Sequence, residues 1–223
     1  GVLKNNRAFN IHEYSATTPK SAGTIANNTV ITFNASRPDD ELTLDQKVWL
    51  YNAHLDETDF DTLGLVSHQE GSLLMIPCLN GGRNIILRGF ASNKNKYSNF
   101  FPEPDYVNCF VGNQDIVVLT EDFISAYRVN RDTIAFSIPC LGTSISDMVL
   151  SRVADTVCKN IVLWFDADTP GKLGAIKEFK KLKPYFDSKG INTYCVTGHP
   201  SPKELNPADL VKVLSDTLGA TIK

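Results

Sequence analysis

The sequence predicts an α/β protein: a mostly parallel sheet flanked by helices, preceded by a smaller α+β unit. Three observations lead there. From about residue 111 onward, short apolar runs alternate with amphipathic stretches, the pattern of strands buried on both faces and joined by crossover helices. Before that, two apolar runs are separated by Asn-Gly-Gly, the mark of an antiparallel hairpin. Finally, two of the later apolar runs end in carboxylates, at Glu121-Asp122 and at Asp166-Ala167-Asp168.

The bulk numbers are compatible with this. A chain of 223 residues is long enough for one larger domain or two small ones with a real core. An apolar content of 42% and a charged content of 21% are those of an ordinary soluble globular protein. A net charge of −3 excludes a global basic field, so any nucleic-acid contact must come from a local patch. The five cysteines (Cys78, Cys109, Cys140, Cys158, Cys195) are widely spaced without a C-x-x-C pair, and the four histidines form no ligand doublet. That argues against a disulfide framework and a structural zinc site, and for a reduced, cytoplasmic protein. No apolar run reaches the roughly 18 residues of a membrane span, and no signal peptide is expected. Gly1 stands where an initiator Met is expected, which points to a fragment boundary.

Taken in order, residues 1–41 read as a partly ordered lead-in with one strand-like run, VITF (30–33). Residues 42–110 form the predicted N-terminal basic subdomain. A helix begins after Thr43, with Leu44, Val48 and Tyr51 as its apolar face, and a second, short helix covers Glu57–Leu63. SLLMIPCL (72–79) and NIILRGFA (84–91) are the arms of the hairpin. Residues 71–100 hold Arg83, Arg88, Lys94 and Lys96 and no acid; a solvated hairpin would account for them as well as a binding surface.

Residues 111–223 form the second predicted subdomain. IVVL (116–119) leads into the helix EDFISAYRV, and IAFSI (134–138) into a helix with Ile145, Met148, Val149, Val153 and Val157 on one side. IVLWF (161–165) leads into a helix with Leu173, Ile176, Phe179, Leu182 and Tyr185 on one side. NTYCV (192–196) is followed by a polar loop and a final helix near 207–217.

In an open parallel sheet, ligands bind beyond the carboxyl ends of the strands. If IVVL and IVLWF share that sheet, Glu121, Asp166 and Asp168 lie on one rim. Converging carboxylates resist joint ionisation, and a hard divalent ion relieves the repulsion. In an extended segment residues i and i+2 point the same way, so Asp166 and Asp168 can face one metal. Gly171 allows tight passage into the helix and close approach of a phosphate. Lys172 in the first turn is unfavourable for the helix dipole and is explained by a phosphate partner or by plain exposure.

These residues resemble the Toprim domain, shared by primases of the bacterial and phage type, topoisomerases and some nucleases. The resemblance rests on the order strand–Glu121, LGTS (141–144) with Gly142 at the turn, and strand–DADTPGKLGA (166–175). PKELNPADLV (202–211) is similar to the closing Lys-Asp-Pro-Asn-Asp segment of primases; Asp209 fits its last Asp, while Lys203 lies two residues too far upstream. The acid-free hairpin resembles the basic sheet of the phage primase core, with Arg88 at its Arg and Lys94 or Lys96 at its Lys. The likeness runs over about residues 42–211. Asp122 stands where the family usually has Gly, and Ser125 where it often has Asp. No zinc ribbon precedes the core and no G-x-x-x-x-G-K-[ST] motor follows it.

The resemblance implies a DNA primase core that makes short RNA primers from NTPs on single-stranded DNA. Glu121, Asp166 and Asp168 would be catalytic and hold one or two Mg²⁺ or Mn²⁺ ions, with Asp209 as an additional ligand. Arg83, Arg88, Lys94, Lys96 and Lys172 would bind template and nucleotide phosphates. A replicative helicase or a separate zinc-binding template-recognition module would be the partner, and no zinc is expected in this chain. Two alternatives use the same residues: a Toprim nuclease, and a catalytically degenerate module that binds single-stranded DNA or a replication partner, which Asp122 and Ser125 favour. A receiver-type phosphoacceptor domain fits the D-x-D-then-Gly spacing poorly, and a topoisomerase needs gate domains that the chain is too short to hold.

Overall fold

The computed structural model describes residues 41–222 apart from 69, 78–84, 91–96 and 101–106. The lead-in strand expected at 30–33, the Asn-Gly turn, Arg83, Lys94 and Lys96 therefore lie outside the described residues.

Helix α1 (Leu44–Asn52) starts in a capping box. Thr43 Oγ1 accepts from the Gln46 amide, and Gln46 Oε1 accepts from the Thr43 amide. Helix α2 (Glu57–Leu63) is capped by Asp56 and stopped by Gly64 at φ +62°. The expected apolar face of α1 is wrong: Leu44 is 76% exposed and Val48 and Tyr51 are also exposed, while Gln46 and Leu50 are buried. The reason is polar. Gln46 Nε2 donates to the carbonyls of Gly71 and Leu73, so an amide docks the helix together with Leu50.

Strands β1 (Val66–His68), β2 (Leu73–Pro77), β3 (Ile85–Gly89) and β4 (Tyr97–Phe100) form an antiparallel sheet in that order. β2 and β3 are the arms of the expected hairpin, paired Met75 to Leu87. The two outer strands were not anticipated: β1 has three residues, too few to show an alternation, and β4 reads YSNF.

The second sheet contains β5 (Asn113–Thr120), β6 (Ala135–Pro139), β7 (Asn160–Trp164) and β8 (Asn192–Cys195) in the order β6-β5-β7-β8, all parallel. Helices α3 (Phe123–Thr133), α4 (Asp147–Ala154), α5 (Thr169–Asp187) and α6 (Pro207–Leu218) connect and cover it. One face packs Leu119, Ile138 and Leu163 under α4 and α5. The other packs Val118, Val162 and Trp164 under α6. Burial on both faces is why these strands read as unbroken apolar runs. α3 is wedged between the two sheets, with Phe123, Ile124 and Tyr127 against Leu74, Ile76 and Ile86.

Two helix faces differ from expectation. α4 ends at Ala154, so Val149 and Val153 are buried while Val157 lies beyond the helix and is 77% exposed. In α5 the buried line is Gly171, Ala175, Glu178, Leu182 and Phe186, and Leu173, Ile176 and Tyr185 face outward. The start of α5 approaches its neighbours too closely for large side chains. A Cβ on Gly174 would come within 2.6 Å of Thr143 Cβ, so small residues take the core side there.

Candidate active site at the ends of β5 and β7

β5 and β7 are adjacent and in register up to Thr120 and Trp164, so both strands end at the same level. The acids that follow them share one rim. Glu121 Oε2 accepts from the Asp166 amide at 3.3 Å. Asp122 is the N-cap of α3: its Oδ1 accepts from the Ser125 amide at 3.0 Å and its Oδ2 from Ser125 Oγ at 2.7 Å. Asp168 is the N-cap of α5, with Oδ1 accepting from the Gly171 amide at 2.8 Å. Gly171 is required by space: a Cβ there would lie 2.3 Å from the Asp166 carbonyl oxygen and 2.9 Å from Glu121 Oε2. Gly142, at φ +154°, follows Leu141 at φ +57° and donates its amide to the Glu121 carbonyl, which makes it the turn that the sequence suggested.

The remaining charge at the rim comes from Lys203, in a 3-10 turn (Pro202–Glu204) ahead of α6. Its Nζ donates to Asp122 Oδ2 and to Asp166 Oδ2, each at 2.8 Å. The other oxygen of Asp166, Oδ1, is buried with no hydrogen-bond partner.

Electrostatics follow from this crowding. Burial, then the Asp166 charge, then that of Asp168 push the Glu121 carboxyl above the ordinary range; the Asp166 amide and Lys203 pull the other way. Asp166 is also raised, by burial and by Asp122, even though Lys203 sits on it. For Lys203, burial works against the charge, yet Asp122 and Asp166 together outweigh it and hold the ammonium protonated above its usual range. The two shifts are consistent: one cation serves two acids, which leaves it over-satisfied and Asp166 short of positive charge.

A cavity of about 180 Å³ lies beside these groups, with Ile76 and Ile86 of the antiparallel sheet on one wall and Glu121, Asp166 and Lys203 on another. Lys172 is exposed and borders a separate shallow depression together with His199 and Glu204. Asp209 lies in the first turn of α6, where its carboxylate accepts from Asn206 Nδ2 at 2.7 Å; its described bonds are these local capping ones, and none joins it to the other acids. Arg88 projects from β3 with its guanidinium 4.1 Å from the centre of the Trp49 ring and 5.1 Å from that of Phe90.

Among the described residues, no three His, Cys, Asp or Glu side chains are already gathered into a metal cage. The donor chemistry nevertheless fits a hard divalent ion: carboxylate oxygens on one rim, an orphaned Asp166 Oδ1, and like charges that resist joint ionisation. Lys203 and Asp122 are the functional candidates that sequence reasoning missed. In the sequence Lys203 lies two residues out of register with the primase segment; the signal for it is that several acids on one rim need a cation, and Lys203 is the lysine in the loop after β8.

The fold that carries this rim is shared with primase catalytic cores. The DnaG catalytic core superposes with a TM-score of 0.61 at 12% identity, covering 82% of this chain and 75% of that one. A DNA primase domain from Pseudomonas aeruginosa gives 0.53 at 17% identity, covering 76% and 61%. The primase fragment of the bacteriophage T7 primase-helicase protein gives 0.53 at 13% identity, covering 76% and 73%. No protein-family model matches the sequence. No curated protein matches it by sequence either. At such identities the likeness is one of fold; the α/β architecture expected from the sequence is present in full among the described residues. No described helix is long and apolar enough to cross a membrane.

Proposed function

We propose that this chain is a primase core, which joins NTPs into short RNA primers on single-stranded DNA. The observation that carries the reading is the pair of matched strand ends, with Glu121 Oε2 accepting from the Asp166 backbone amide at 3.3 Å across β5 and β7, in a fold shared with DnaG catalytic cores. Glu121, Asp166 and Asp168 would hold Mg²⁺ or Mn²⁺. An ion held by these residues would supply Lewis acidity toward a primer 3′-hydroxyl and the α-phosphate. The protein's own work is positioning. The caps on Asp122 and Asp168 set where α3 and α5 begin, and Gly171 lets the Asp166 carbonyl and Glu121 pack against the start of α5. The cavity between the antiparallel sheet and the acids suits part of a nucleotide, with apolar walls from Ile76 and Ile86. Arg83, Lys94, Lys96 and Lys172 would bind phosphates; Arg88, stacked on Trp49, offers a planar donor on an aromatic base.

The test is incorporation of labelled NTPs on single-stranded DNA templates with Mg²⁺ or Mn²⁺. Primers should form with the parent protein and disappear with Asp168→Ala. Incorporation that survives this change would refute the site. Cleaved nucleic acid in place of new oligoribonucleotides would establish the nuclease alternative.

A further inference from the structure

We infer that Lys203 is a built-in cation that occupies the Asp122 side of the rim, so that the site takes a single divalent ion, on the Glu121 and Asp168 side. This rests on the metal-dependent reading above. Its own basis is geometric. Lys203 Nζ lies 2.8 Å from one oxygen of Asp122 and 2.8 Å from one of Asp166, so both of those oxygens already have a cation. A mobile surface lysine gains little from such a contact, because holding its long side chain costs entropy. Lys203 is different, being 19% exposed and carried on a loop tied down on both sides. Upstream, buried Trp164 donates Nε1 to the Pro200 carbonyl at 3.0 Å, and Ser201 bonds Glu204 through both its amide and its hydroxyl. Downstream, fully buried Arg128 donates to the Leu205 carbonyl at 2.8 Å and to the Ala53 carbonyl at 2.6 Å. The acceptor is set just as firmly: both oxygens of Asp122 are oriented by Ser125.

The chemistry of the two halves then differs. On the Asp122 side, two carboxylates share one largely buried ammonium. On the other side, Glu121 and Asp168 are carboxylates without a lysine, and the orphaned Asp166 Oδ1 remains as a donor. Lys203 is thus a positioning residue. It holds Asp166 Oδ2, and its charge excludes a second divalent ion from the Asp122 side.

Calorimetric titration of Mn²⁺ into the divalent-free protein, without nucleotide or DNA, tests this. The parent should take up one equivalent. Lys203→Met should take up a second, or bind the first about 10-fold more tightly through loss of the competing charge. Lys203→Arg should behave as the parent. If Lys203→Met is unstable on its own, its melting temperature read against Mn²⁺ concentration serves instead, since an ion that replaces the lysine raises it more than it raises the parent's. Identical Mn²⁺ stoichiometry and affinity in parent and Lys203→Met would overturn the role of Lys203 while leaving the metal-dependent reading intact. No Mn²⁺ uptake by either protein would overturn both.

Discussion

The ends of β5 and β7 are built alike and used differently. Each strand stops at the same level, and each is followed by one acid on the rim and one acid that caps the next helix: Glu121 and Asp122 after β5, Asp166 and Asp168 after β7. After β7 an alanine separates the two roles; after β5 they fall on consecutive residues. Consecutive residues in extended chain point to opposite sides. The cap at β5 is thereby turned toward the loop after β8, where Lys203 meets it. The difference teaches that a strand-end acid is not a ligand by position alone. What matters is whether a cap, a lysine or nothing else has claimed its oxygens.

The largest expected effect separates these roles directly. Asp166→Asn should lower Mn²⁺-dependent NTP incorporation about 100-fold or more, the kinetic equivalent of about 3 kcal/mol lost at the metal. Asp122→Asn, which keeps the cap geometry, should lower it by less than about 10-fold. Equal losses in the two variants would erase the distinction between the two ends.

A smaller effect probes how tightly the β7 end is packed. Gly171→Ala places a methyl group 2.3 Å from the Asp166 carbonyl oxygen, so backbone must shift. Destabilisation of about 1–3 kcal/mol is expected, seen in urea or thermal melts, together with lost incorporation. A variant as stable as the parent would mean that the close approach is not a constraint.

The smallest effect concerns charge at the β5 end. Glu121 and Asp166 hold their protons more tightly folded than unfolded. The native state therefore binds more protons from the ordinary carboxylate range upward, and stability falls as pH rises through that window. Without divalent ions, Glu121→Gln should melt above the parent at pH 7, and the gain should fade below about pH 4, where unfolded carboxyls are also protonated. A gain that is the same at both pH values would point to packing rather than charge. Added Mn²⁺ should reverse the order at pH 7, since the parent then gains a ligand that the variant lacks.

Three residues that differ from the pattern the sequence resembles look different once side chains are placed. Asp122, Ser125 and the displaced Lys203 are a connected set: Ser125 orients Asp122, and Asp122 shares Lys203 with Asp166. As isolated letters, Asp122 and Ser125 favour a degenerate site, and Lys203 is only out of register. As neighbours they form one connected arrangement of charge on the rim.

Much of this molecule was legible in the residues alone. Alternating apolar runs and amphipathic stretches specify a parallel sheet because strands buried on both faces leave no polar positions. The helix start after Thr43 and the acids at the strand ends are local signals, and the structure places them where the sequence does; that Asp168 caps α5 comes from the structure. Helix faces were less legible. In α1 the Gln46 amide and Leu50 make the docking contact, and in α5 the close approach of the chain puts Gly171 and Ala175 inward. Counting large apolar residues therefore missed the α1 face and found only part of the α5 face, where Leu182 is buried and Phe179 packs against the core while Leu173, Ile176 and Tyr185 are exposed. The pairing of Lys203 with two acids 81 and 37 residues away belongs to the same class. Residue spacing along the chain sets which way a side chain leaves its own element. Which charges then meet depends on where the loop after β8 returns, and that is decided by Trp164, Arg128 and the packing of α6.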